Sequence, residues 1–170
     1  VAMDNKAWKV SYPCYERLVK YKTTSDGKAS TEVGPSLAKS WTVSDDGLTW
    51  TFKLETGHKF ADGTPVDSKA VKFSVERVMA VKKGPADYFK PVTAVETPDA
   101  ETVVFKLKEP FAPFLDTMAV NAAGVVNPKV MEHEKDGDKA SNYLATHTMG
   151  SGAYELTEFN PGQNIKMVLN

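Results

Sequence analysis

The hydrophobic positions along the chain change period several times, and each change marks an element. Trp50, Phe52 and Leu54 alternate with Thr49, Thr51 and Lys53, the period-2 pattern of a half-buried strand. Asp45, Asp46 and Gly47 precede it with turn chemistry, because a short carboxylate bonds nearby backbone and glycine tolerates positive φ. Residues 41–54 are therefore predicted to form a hairpin. A second turn cluster, Phe60-Ala61-Asp62-Gly63-Thr64-Pro65, follows, and the period then becomes helical through Val71, Val75, Val78 and Met79. Asp67 or Ser68 stands as N-cap, so a helix is predicted over residues 67–82. Lys82, Lys83, Gly84 and Pro85 end it, since cations suit a helix C-terminus, glycine a C′ position, and proline cannot continue.

The remaining pattern predicts shorter pieces. Residues 15–22 read as a strand and residues 23–32 as a polar loop. A second hairpin is expected over residues 92–97 and 102–108, turning at Pro98-Asp99-Ala100, with Val103, Phe105 and Leu107 on one face. Short helices are expected at residues 112–119, 128–134 and 138–146. A third hairpin turns at Asn160-Pro161-Gly162-Gln163, with Tyr154, Leu156, Ile165, Met167 and Leu169 as its inward faces. Three hairpins with interspersed helices imply an α+β fold with a largely antiparallel or mixed sheet and flanking helices.

Composition narrows the function classes. Hydrophobic residues make up 41% and charged residues 25% of the 170, near globular averages, and one domain is the expectation for this length. The net charge of −1 offers no basic patch, so nucleic acid is not expected as a partner. The longest apolar stretches, such as Ala119–Val126, are too short to span a bilayer. Cys14 is the single cysteine and cannot form an internal disulfide; Tyr12, Pro13 and Tyr15 around it mark it as a small buried hydrophobe.

Catalytic and metal chemistry find no pattern. His58, His133 and His147 lack metal-ligand spacing and read as three scattered surface histidines. Residues Glu132–Asp138 lack the alternating oxygen ligands of a calcium loop and read as a solvated turn. Gly150-Ser151-Gly152 matches neither a phosphate loop nor a nucleophile elbow and reads as a bend before a strand. Asp45, Asp46 and Asp62 sit in glycine-containing turns, which explains them without catalysis. Neither an enzyme nor a cofactor is expected.

The order of motifs resembles the family 5 solute-binding proteins of ABC importers, the peptide-, nickel- and glutathione-binding group. The resemblance is carried by Tyr15-Glu16-x-Leu18-Val19, Leu37-Ala38-Lys39-Ser40-Trp41, Asp46-Gly47-x-Thr49-Trp50-x-Phe52-x-Leu54, Phe60-x-Asp62-Gly63-Thr64-Pro65, Ser74-Val75-Glu76-Arg77 and Gly150-Ser151-Gly152-Ala153-Tyr154. The chain departs from the family pattern at Glu55, where a basic residue is usual, and at Ser151 and Ala153, where threonine and proline are usual. It is also far shorter than family members, which close two lobes around a ligand.

The resemblance implies a type II periplasmic-binding-protein architecture, of which residues 1–40 would begin the N-terminal lobe, 41–120 form an α+β subdomain and 121–170 return to the lobe's sheet. It implies an oligopeptide, a dipeptide or another small polar solute as ligand, an ABC permease in the membrane as partner, and export to the periplasm or cell surface. With the second lobe absent, these residues alone are expected to bind ligand weakly or not at all. Ligand-facing positions carried over from the resemblance are Trp8, Tyr88, Asn121 and Ala122. Trp41 and Trp50 belong to the hairpin pattern and are expected in the core. A sensor or protein-interaction module built on the same lobe is the alternative.

Overall fold

The computed structural model describes residues 9–82, 84–160 and 163–170. Its strands are β1 (Val19–Thr23), β2 (Ala29–Pro35), β3 (Ala38–Val43), β4 (Thr49–Leu54), β5 (Val92–Asp99), β6 (Thr102–Leu107), β7 (Tyr154–Asn160) and β8 (Asn164–Leu169). Helix α1 spans Ser68–Val81 and the single turn α2 spans Phe114–Thr117. The strands form a four-stranded sheet in the order β3-β4-β6-β5 and two-stranded sheets β1-β2 and β7-β8, with antiparallel pairing throughout. This is the α+β, antiparallel class that the hydrophobic pattern implied. Among the described residues no helix is long and apolar enough to cross a membrane.

The central sheet carries the core on one face. Register places Trp41 opposite Phe52, Phe52 opposite Val103, and Trp50 opposite Phe105. These side chains meet Phe114 from α2 in an aromatic cluster, with Phe52 edge-on to Phe105 at 5.7 Å and Phe105 edge-on to Phe114 at 5.3 Å. Trp50 packs 5.4 Å from Phe114, and both Trp41 and Trp50 lie half-buried against the core, as their alternation predicts. Helix α1 covers β5 and β6, burying Ala70, Val71, Ser74 and Val75. The Asp67 carboxylate caps it by accepting from the Ala70 N–H at 2.9 Å. The left-handed residue at its end is Lys82, φ 53°, whose N–H reaches the Met79 carbonyl; the sequence placed glycine in that role.

Several predicted elements change. The region read as a polar loop contains β2, which pairs with β1 around a turn whose Gly27 has φ +78°. Thr31 and Glu32 are exposed and Ser30 and Val33 only half-buried, so this run carries little apolar alternation to read. The helix expected at 112–119 is only one turn, and 128–134 forms a 3₁₀ segment, Pro128–His133. The helix expected at 138–146 contracts to a 3₁₀ turn, Tyr143–Ala145, because Lys139 and Ala140 adopt left-handed φ of 55° and 56°.

The third hairpin is also corrected. Leu156 is buried, but Tyr154, Ile165, Met167 and Leu169 are exposed at 40%, 45%, 38% and 76%. Cover on that face is partial: the Cys14 thiol reaches the Met167 sulfur at 4.0 Å, and Leu156 opposite Met167 is buried.

Candidate functional site

Tyr88 sits in the 3₁₀ segment Gly84–Phe89 that follows α1, half-buried against the core. That segment touches the 3₁₀ turn Asn121–Ala123, so the segment carrying Tyr88 and the turn carrying Asn121 and Ala122 are neighbours. Ala122 faces the core and is only 8% exposed. The Asn121 side chain accepts from Arg17 Nη1 at 3.3 Å and donates to Ser11 Oγ at 3.5 Å. Trp8 lies outside the described residues.

Arg17 is the residue of this region that sequence reasoning missed. It occupies the x position of the Tyr15-Glu16-x-Leu18-Val19 motif, and its backbone is held between two neighbouring segments. The Leu37 N–H donates to the Arg17 carbonyl at 3.0 Å, and the Val125 N–H to that of Glu16 at 2.9 Å. Its side chain is 5% exposed, with the guanidinium 3.8 Å from the centroid of the Tyr12 ring. Burial lowers its pKa below the ordinary arginine value. The signal available in the sequence was a cation followed directly by Leu18 and Val19, both of which are buried.

A separate cavity of about 300 Å³ is lined by Phe60, Asp62, Asn127, Tyr143, Met149 and Tyr154 among others, and none of Tyr88, Asn121 and Ala122 borders it. Asp62 there is committed to structure. It accepts from the Thr64 N–H at 3.0 Å and pairs with Lys129 at 2.7 Å, contacts that hold its carboxyl well below the usual carboxylate range. The Tyr15 hydroxyl accepts from the Met149 N–H at 3.3 Å, and burial pushes its phenol pKa up.

Two of the three histidines, expected to be scattered on the surface, share one exposed stack, and His58 stands apart from it. His133 and His147 each stack on Tyr143, with centroids at 3.8 Å and 4.2 Å, and His58 Nδ1 lies 3.0 Å from Glu16. His133 and His147 are brought together by the 3₁₀ turns, which spacing in sequence does not reveal. Among the described residues no group of three or more His, Cys, Asp or Glu is placed to hold a metal ion. Asp138, in the acidic turn, spends its oxygens on the N–H groups of Lys135, Ala140 and Asn142. Cys14 is buried, as expected, and burial pushes its thiol up.

The antiparallel α+β fold agrees with comparison to known proteins. The chain belongs to the bacterial extracellular solute-binding proteins, family 5, whose middle-region model matches residues 32–170. It is 47% identical over 170 residues to the probable D,D-dipeptide-binding periplasmic protein DdpA of Escherichia coli (strain K12), covering 100% of this chain and 33% of that protein. It is 35% identical over 137 residues to the glutathione-binding protein GsiB of Escherichia coli O157:H7, covering 77% of this chain and 25% of that protein. The fold superposes on the periplasmic binding protein DppA from Helicobacter pylori in complex with peptide STSA, with a TM-score of 0.79 at 26% identity over 99% of this chain and 36% of that one. The chain thus spans a quarter to a third of the length of the curated relatives it matches.

Proposed function

We propose that this chain is part of the solute-binding component of an ABC importer and that its ligand is a short peptide, with D,D-dipeptides the first class to test. The observation that carries this reading is the 47% identity to DdpA across the whole of these residues. The role is capture without catalysis. A ligand held between two lobes stabilises their closed arrangement, which a membrane permease then recognises. Export to the periplasm or cell surface follows from the same reading. Tyr88, Asn121 and Ala122 would supply this lobe's side of the cleft, together with Trp8.

Calorimetric titration tests it, using the protein expressed from its whole open reading frame. D-alanyl-D-alanine, L-alanyl-L-alanine and glutathione are compared. Saturable binding of a dipeptide with a Kd on the order of 1 μM or tighter is expected, equivalent to about −8 kcal/mol. Binding of glutathione with neither dipeptide would reassign the ligand. An absence of binding to all three would remove the peptide reading.

A further inference from the structure

We infer that Arg17 is a receptor for the carboxylate of the bound solute, with the face of its guanidinium stacked on the ring of Tyr12. Three observations carry this assignment, which rests on the peptide-binding reading and narrows it to ligands with a free carboxylate.

The first is the electrostatic state of the guanidinium. Arg17 is 5% exposed, yet it forms no ion pair among the described residues. The neighbouring Glu16 carboxylate is turned to His58 instead, at 3.0 Å. Buried charges are ordinarily paired, because removing an ion from water costs more than weak neutral contacts return.

The second is its hydrogen bonding. Nε is buried with no partner, and Nη1 makes only long contacts, 3.4 Å to the Tyr12 carbonyl and 3.3 Å to Asn121 Oδ1. A guanidinium presents its N–H groups as a planar fork that matches a carboxylate in two parallel bonds. The other buried arginine behaves differently. Arg77, also 5% exposed, donates from Nε to the Lys139 carbonyl at 2.7 Å and from Nη2 to Ser141 Oγ at 3.4 Å, a satisfied structural tie.

The third is access. The Tyr12 ring that stacks on Arg17 is 45% exposed and lies in a 3₁₀ turn, so one face of the guanidinium is covered by a surface side chain and its in-plane donor edge is not closed by that ring. Asn121 stands beside it, and the segment carrying Asn121 touches the one carrying Tyr88. A carboxylate entering here would replace long neutral contacts with a charge-assisted pair.

The test uses the protein from its whole open reading frame, a dipeptide that it binds, and the C-terminal amide of that dipeptide. The parent protein is expected to favour the free acid by about 10- to 100-fold, the range for a hydrogen bond to a charged group. Arg17→Met keeps the stem length and removes the charge; it should lower the acid-to-amide ratio by the same factor. An unchanged ratio in a folded Arg17→Met protein overturns the assignment and leaves Arg17 a structural cation. Asn121→Asp supplies a second arm that keeps the arginine and needs no ligand. Its carboxylate should occupy the fork, raise Tm and abolish the preference for the free acid. A Tm that falls, with the preference retained, counts against the inference. If no peptide binds while Asn121→Asp raises Tm, the ligand reading fails and the vacant carboxylate position stands.

Discussion

Gly150 and Gly152 are held by space alone. A Cβ on Gly150 would stand 2.0 Å from the Cys14 carbonyl oxygen, and one on Gly152 would stand 2.3 Å from that of Pro13. Neither glycine has positive φ, so the requirement is close backbone approach. The Gly152 N–H donates to the Cys14 carbonyl at 3.1 Å across this contact, tying the entry to β7 onto the chain before β1. Gly152→Ala should therefore destabilise by about 1–3 kcal/mol, the usual cost of overpacking. Ser151 between them buries a hydroxyl that has no partner, so Ser151→Ala should change stability by less than about 0.5 kcal/mol or improve it slightly. Urea denaturation of both variants beside the parent separates the two expectations.

At the scale of elements, α1 shows how local and tertiary terms divide. Its start is fixed by the Asp67 cap, and its buried stripe by Ala70, Val71, Ser74 and Val75. Ser74 adds a long-range tie, since its hydroxyl donates to the Ala70 carbonyl at 2.7 Å and accepts from the Val126 N–H at 2.9 Å. Asp67→Ala should cost about 1 kcal/mol through the lost cap, and Asp67→Asn should recover most of it, because the amide oxygen can accept the same N–H. The shift in denaturation midpoint at constant m-value checks this. The β1-β2 hairpin is held differently, by its ladder and by an exposed Lys22–Glu32 pair at 3.0 Å, which is worth little on its own.

Across the whole molecule, the core and the outer hairpin differ in how fully they are closed. The β3-β4-β6-β5 sheet is covered by α1 and by the aromatic cluster, whereas β7-β8 presents Ile165, Met167, Val168 and Leu169 outward. The chain supplies a quarter to a third of its relatives' length, and the proposed ligand site needs contacts from two lobes. A polypeptide restricted to these 170 residues should therefore bind the dipeptide at least about tenfold more weakly than the whole protein, a loss of about 1.4 kcal/mol or more. Parallel titrations of the two proteins decide it; equal affinities would mean that this lobe holds the site alone.

Local physics was legible in the sequence. The Trp50-Phe52-Leu54 alternation, the Asp46-Gly47 turn, the Asp67 cap and the Val71–Val75 spacing each state their element within a few residues, and the fold class and family follow from their order. The turn carboxylates were equally readable, because Asp46 bonds the Leu48 N–H only two residues on, at 2.9 Å. Tertiary structure alone decided the rest. β2 is a strand because β1 pairs with it, despite its polar face. His133, Tyr143 and His147 share a stack because 3₁₀ turns fold back on each other. Arg17 meets Asn121 across 104 residues, and the lack of a partner for its Nε depends on what surrounds it in space. Periodicity records which way a side chain points along its own element; it carries no information on which distant group it meets, or whether it meets one at all.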